Sequence, residues 1–162
     1  MAIVYLASPY GFSDATRGYL KQLREALRSE GHEVNDPWEY GAHWTRDIEE
    51  AEKMSDPKRI ETLKEIGRRM GGENREALER SRVVVAVLDG ADVDSGTASE
   101  IGYAFGRGKR IVGYRGDLRK SGEFEGLVVN LQVRYWIVES GGVIVKTVED
   151  VKRALSGEKE GG

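Results

Sequence analysis

The chain contains no cysteine and only two histidines, His32 and His43. The lack of cysteine excludes disulfides, thiolate metal sites and a cysteine nucleophile. With so few histidines, a histidine-based zinc site is not expected either, and no metal or cofactor is predicted. No run of about 18 apolar residues occurs, so no membrane-spanning helix is expected. The opening MAIVYLASPY lacks a basic region and a long apolar stretch, so no signal peptide is expected there. No lysine- or arginine-rich block marks a basic tail. The net charge of −3 argues against nucleic acid as the main partner. Together these absences point to a soluble, cytoplasmic protein.

The chain has 162 residues, of which 39% are hydrophobic. That suits one compact α/β domain, expected over residues 1–156, with 157–162 (GEKEGG) as a solvated tail. Ile3 to Ala7 read as a buried first strand. Ser13 can cap the next helix, where Leu20, Leu23 and Leu27 share one face and Gly31 marks the end. A short strand follows near Glu33 to Asn35. Trp38, Tyr40, His43 and Trp44 then crowd a segment that covers something. Pro57 opens a helix through Met70, and Gly71-Gly72 is expected to break it. Asn74 can cap a further helix. Val83 to Leu88, apolar throughout, reads as a central parallel strand. A helix from about Ala98 to Gly106 and a strand from Arg110 to Tyr114 come next. Residues 115–127 form a polar loop. Arg134 to Val138 are read as a last strand, and Val148 to Leu155 as a closing helix.

Alternating strands and helices imply a doubly wound parallel sheet of about five strands, with helices on both faces. Ligands bind such sheets beyond the carboxyl ends of the strands. Ser8 to Phe12, Asp89 to Glu100 and Arg115 to Arg119 all follow strands and should gather there.

The stretch DVDSGTASE, residues 92–100, carries the most chemistry. Thr97 to Glu100 fit a capping box, with the threonine as N-cap and the glutamate reaching back. A carboxylate there also suits the positive end of the helix dipole. Yet capping needs one or two polar side chains, and this loop supplies Asp92, Asp94, Ser95 and Thr97 together. Asp94 and Glu100 can form a carboxylate pair whose pKa values separate, leaving one ionised nucleophile. Gly96 precedes a helix N-terminus, where backbone N–H groups can hold an anion. Neither GxGxxG nor GxxxxGK[ST] occurs, however, and Asp92, Asp94 and Glu100 would repel a phosphate. Residues alone leave capping and catalysis nearly level for Glu100. Tyr5, Tyr10, Asn74 and Asn130 each have an ordinary strand, loop or cap reading.

Together, VYLASPY, VVVAVLDGADVDSGTASEIGYAFGRGKRIVGYRGDLR and VNLQV resemble the nucleoside 2-deoxyribosyltransferase family. The resemblance runs from about Ile3 to Ile137 and implies a flavodoxin-like sheet. It implies that Glu100 attacks the anomeric carbon of a 2-deoxynucleoside and expels the base. A second base then takes the sugar, and two inversions retain configuration. Asp94 matches the aspartate beside the nucleophile, and Tyr5 the tyrosine that orients it. Tyr10 falls where the family places an aromatic against the base, and Asp89 and Gly96 join the substrate-binding set. Asn130 matches an asparagine that reaches a neighbouring subunit's site, which implies a homo-oligomer with shared sites. Two positions depart from the family's usual pattern. Asn74 stands where some members carry a base-contacting aspartate, and an amide cannot protonate a leaving base. Gln132 occupies a position often held by methionine. The implied partners are deoxynucleosides and free nucleobases. Open alternatives are a hydrolase of deoxynucleoside 5′-monophosphates, a cytokinin-activating phosphoribohydrolase, and a non-catalytic nucleoside-binding module. The phosphoribohydrolase group's diglycine is replaced here by Asp94-Ser95.

Overall fold

The computed structural model describes residues 1–157; the rest of the expected tail lies outside the described residues. The first strand, β1 (Ile3–Ala7), leads into helix α1 (Asp14–Ser29). Ser13 caps α1 by accepting from the Ala15 N–H. Strand β2 (Glu33–Asn35) is followed by three short helical segments: α2 (Pro37–Tyr40), a tight turn at Gly41–His43, and α3 (Trp44–Glu52). The long helix α4 (Lys58–Arg80) precedes β3 (Val83–Val87). Then come α5 (Ser95–Gly106), β4 (Arg110–Tyr114), α6 (Leu131–Glu139), β5 (Val143–Val145) and α7 (Val148–Ser156).

All strands are parallel, in the order β2-β1-β3-β4-β5. This is the flavodoxin-like doubly wound order, whose ligand crevice opens where the winding reverses, between β1 and β3. Alternation along the strands divides the core in two. Val4, Leu6, Val83, Val85 and Val87 face α1 and α7, packing on Leu20, Leu23, Leu27, Val151 and Ala154. Tyr5, Ala7, Val84 and Ala86 face the other side, with Ala77 of α4, Ile101 and Ala104 of α5, and Val133 and Ile137 of α6. Tyr5 therefore shares a face with α5, the helix that carries Glu100. A third cluster, Trp44, Ala51 and Ile66, fastens α3 to α4.

Three sequence expectations need correction. Gly71-Gly72 does not break α4, which runs through to Arg80, so Asn74 lies within a helix and caps none. Two interior glycines cost about 1 kcal/mol each against alanine. Burial of Ile66, Ala77 and Leu78 on either side of the pair opposes that cost. Residues 134–138 are helical, not extended: Asn130 caps α6 by accepting from the Gln132 and Val133 N–H groups. The last strand is instead β5. Finally, α5 begins at Ser95, and its N-cap is Asp94 rather than Thr97.

Candidate active site

The crest of the sheet between β1 and β3 holds a cavity of about 240 Å³. Ser8 and Phe12 come from the segment after β1, and Asp94, Gly96, Thr97 and Glu100 from the mouth of α5. Trp38, Tyr40 and Trp44 roof it, and Met70, Glu73 and Asn74 of α4 close the far wall.

Asp94 takes the N-cap position, its Oδ2 accepting from the Thr97 N–H at 2.9 Å and the Thr97 hydroxyl at 3.3 Å. This cap serves α5 in place of the expected capping box. Glu100 is thereby released from the helix end. Its Oε1 accepts instead from the Tyr5 hydroxyl, at 2.5 Å. The Glu100 carboxyl is pushed up to about 7: burial is the largest cause, the Tyr5 hydrogen bond opposes it, and the Asp94 charge adds to the rise. Tyr5 is fully buried. Its burial and then the Glu100 charge hold it far above the usual phenol range, so it acts as a permanent donor. Its hydroxyl also meets that of Tyr40, which donates to Asn74 Oδ1 at 2.8 Å. Asn74, Tyr40, Tyr5 and Glu100 thus form one polar chain across the cavity wall.

The aromatic roof has its own supports. Buried Asp36 caps α2, accepting from the Trp38 N–H at 3.0 Å and from Arg24 Nη1 at 2.7 Å. Trp38 Nε1 donates to the Ser8 carbonyl at 2.8 Å. A Cβ on Gly11 would lie 1.9 Å from the Trp38 ring, so glycine is what allows the indole to settle there. Phe12, 72% exposed, meets Trp38 edge to face at 4.5 Å. These two rings form a flat-sided entrance.

Of the residues singled out in the sequence, Asp94, Gly96, Glu100 and Asn74 line this cavity, and Tyr5 lies directly behind Glu100. Tyr10 and Asp89 do not line it. They border an open hollow on the other side of the crest, where the Tyr10 hydroxyl donates to Asp89 Oδ2. Asp89 Oδ1 also accepts from the Asp117 N–H at 2.9 Å, which ties the 115–127 loop to the crest. Asn130 and Gln132 sit at the exposed start of α6, away from the chain's own cavity. The aromatic crowding of Trp38, Tyr40 and Trp44 in the sequence marked a covering segment, and Phe12 fell within the stretch expected at the crest, but none was named as a site residue; Glu73 was missed altogether.

A family model for nucleoside 2-deoxyribosyltransferases matches residues 4–132. The chain belongs to that family. A conserved protein from Enterococcus faecalis V583 is 26% identical, with a TM-score of 0.72, over 98% of this chain and 99% of that one. A 2-deoxyribosyltransferase from Bacillus psychrosaccharolyticus shares the fold at 24% identity and a TM-score of 0.59, over 93% and 90% of the two chains. A CMP N-glycosidase from Clostridium botulinum shares it at 19% identity and a TM-score of 0.51, over 94% and 96%. No curated protein sequence matches the chain. No helix among the described residues is long and apolar enough to cross a membrane.

Proposed function

We propose that this protein transfers 2-deoxyribose between nucleobases through a covalent deoxyribosyl-Glu100 intermediate. The observation that carries the proposal is the Tyr5–Glu100 pair at the mouth of α5, opening onto an aromatic-walled cavity. Glu100 attacks the anomeric carbon as the C–N bond breaks, and the base leaves with the bonding electrons. An incoming base reverses the step. The transition state is oxocarbenium-like and positively charged. Asp94 and Glu100 both line the cavity, and their carboxylates suit that charge. Tyr5 fixes one oxygen of Glu100 and leaves the other free to bond carbon. Asp94, held by Thr97, positions the sugar hydroxyls. The base stacks at the Phe12 and Trp38 entrance.

The same lining favours a nucleoside over a nucleotide. Among the described residues, no lysine or arginine lines the cavity to receive a 5′-phosphate. Asn130 acts in a neighbouring subunit's site within a homo-oligomer. Its distance from its own cavity supports that role, as do the exposed apolar residues Leu131, Tyr135 and Val138 that follow it on α6. The test is base exchange: deoxyadenosine with a second free base should yield the second deoxynucleoside. Release of free deoxyribose at a rate unaffected by acceptor base would instead identify a hydrolase.

A further inference from the structure

A purine leaving as an anion is a poor leaving group, so its departure calls for a proton donor beside the base. Asn74 cannot supply one, because an amide is not an acid near neutral pH. Its Oδ1 is in any case taken up by the Tyr40 hydroxyl. Asp94 is engaged as the N-cap of α5, accepting from the Thr97 N–H and hydroxyl. Among the described residues one further carboxylate lines the space, Glu73 of α4, one residue before Asn74.

Glu73 is held from two directions. Its Oε2 accepts from Trp44 Nε1 at 2.9 Å, and its Oε1 lies 3.3 Å from His43 Nε2. His43 Nδ1 lies 2.7 Å from the Tyr40 carbonyl. A carbonyl only accepts, so Nδ1 carries the hydrogen of that bond. In a neutral imidazole Nε2 is then bare. The Nε2–Oε1 contact therefore closes as a hydrogen bond only when the two groups together hold one extra proton. On Nε2, that proton makes an imidazolium–carboxylate pair. On the carboxyl, the O–H donates to Nε2, and it turns from the imidazole to the base as the base leaves.

We infer that the Glu73–His43 pair is the proton reservoir for the base, with Glu73 as the group that touches it and His43 as its positioning partner. This rests on the transferase reading above. In the forward step the C1′–N bond breaks and its electrons go to the base. A C1′–O bond forms to Glu100, and the Glu73 carboxyl proton passes to a ring nitrogen of the base. In the return step the incoming base gives a proton back to the pair. Charges and atoms balance without any other reactant.

The test compares two donors. Deoxyadenosine needs the proton, whereas N7-methyl-2′-deoxyguanosine already carries the positive charge and releases a neutral base without one. Glu73→Gln should lower kcat/KM on deoxyadenosine by about 100- to 10,000-fold, the span of general acid catalysis. The loss on the methylated donor should be at least tenfold smaller. His43→Gln should show the same bias with a smaller loss. Equal losses on both donors, or none on either, would overturn the inference and leave Glu73 a wall residue. The wild type and Glu100→Gln separate this from the underlying reading. If wild-type protein turns over neither donor, or Glu100→Gln turns over both, the transferase reading itself fails. Thermal melts of each variant identify any loss that comes from misfolding.

Discussion

Tyr5 donates to Oε1 of Glu100 over 2.5 Å, linking the first strand to the fifth helix across 95 residues of sequence. This bond holds the glutamate's charged form against burial, which alone would neutralise it. Removing the donor should push the Glu100 carboxyl further up. Because only the carboxylate attacks, the rate should rise with pH through about 7 in the wild type. In Tyr5→Phe that rise should move to higher pH. Activity at pH 7 should drop about 10–100-fold, the equivalent of a charge-assisted hydrogen bond. A pH–kcat/KM profile checks both.

Asp94 should shift the same profile the other way. Its charge adds to the rise in the Glu100 pKa, so Asp94→Asn should move the rate's ascent to lower pH. Asparagine is as good an N-cap as aspartate, so α5 should keep its stability. Opposite displacements in the two variants would separate hydrogen bonding from charge repulsion.

Glu100 should cost the fold stability. Its carboxyl is raised from an ordinary value of 4.5 to about 7, so the folded state binds the extra proton between those pH values. Stability from this group is full below about 4.5 and falls as pH rises through about 7. Glu100→Gln removes that loss. The variant should therefore be more stable than wild type at pH 8, by up to about 3 kcal/mol, and nearly equal at pH 4.5. Denaturant unfolding at the two pH values measures it. A catalytic group that destabilises its own fold is the usual trade between stability and activity.

Gly11→Ala should disturb the roof without touching the nucleophile. The added methyl group would meet the Trp38 ring, so the indole has to move. A stability loss of about 1–3 kcal/mol is expected, as for other overpacked sites. KM for the nucleoside should rise more than kcat falls.

Shared sites can be tested by mixing. Asn130→Ser keeps a good N-cap for α6 but withdraws the amide. Combined with Glu100→Gln after subunit exchange, it should restore part of the activity that each variant lacks alone. No recovery would count against a site completed by a second subunit.

Much of the fold could be read from sequence, and the failures have definite causes. The strand at Val83–Val87 is apolar on both faces because helices cover both, and that pattern is unambiguous. In contrast, α6 holds Tyr135, Trp136, Ile137 and Val138, a run that locally favours a strand. The Asn130 cap and the tertiary partners of Val133 and Ile137 make it helical. Strand β5 has three residues and follows Gly142, whose added Cβ would sit 1.7 Å from the Ile111 carbonyl oxygen. Such a close approach leaves no periodic signal. At the site, Glu100 and Asp94 stood out because they lie six residues apart in one short stretch, DVDSGTASE, that caps and opens α5. Glu73 did not, because its relation to the cavity depends on α4 continuing through Gly71-Gly72.

The most direct measurement is the intact mass of the protein mixed with deoxyadenosine and quenched in acid, followed by peptide mapping. A deoxyribosyl adduct on the peptide containing Glu100, absent from Glu100→Gln and discharged by free base, is the expected result. No adduct on that peptide, with base exchange persisting in Glu100→Gln, would contradict the covalent role of Glu100.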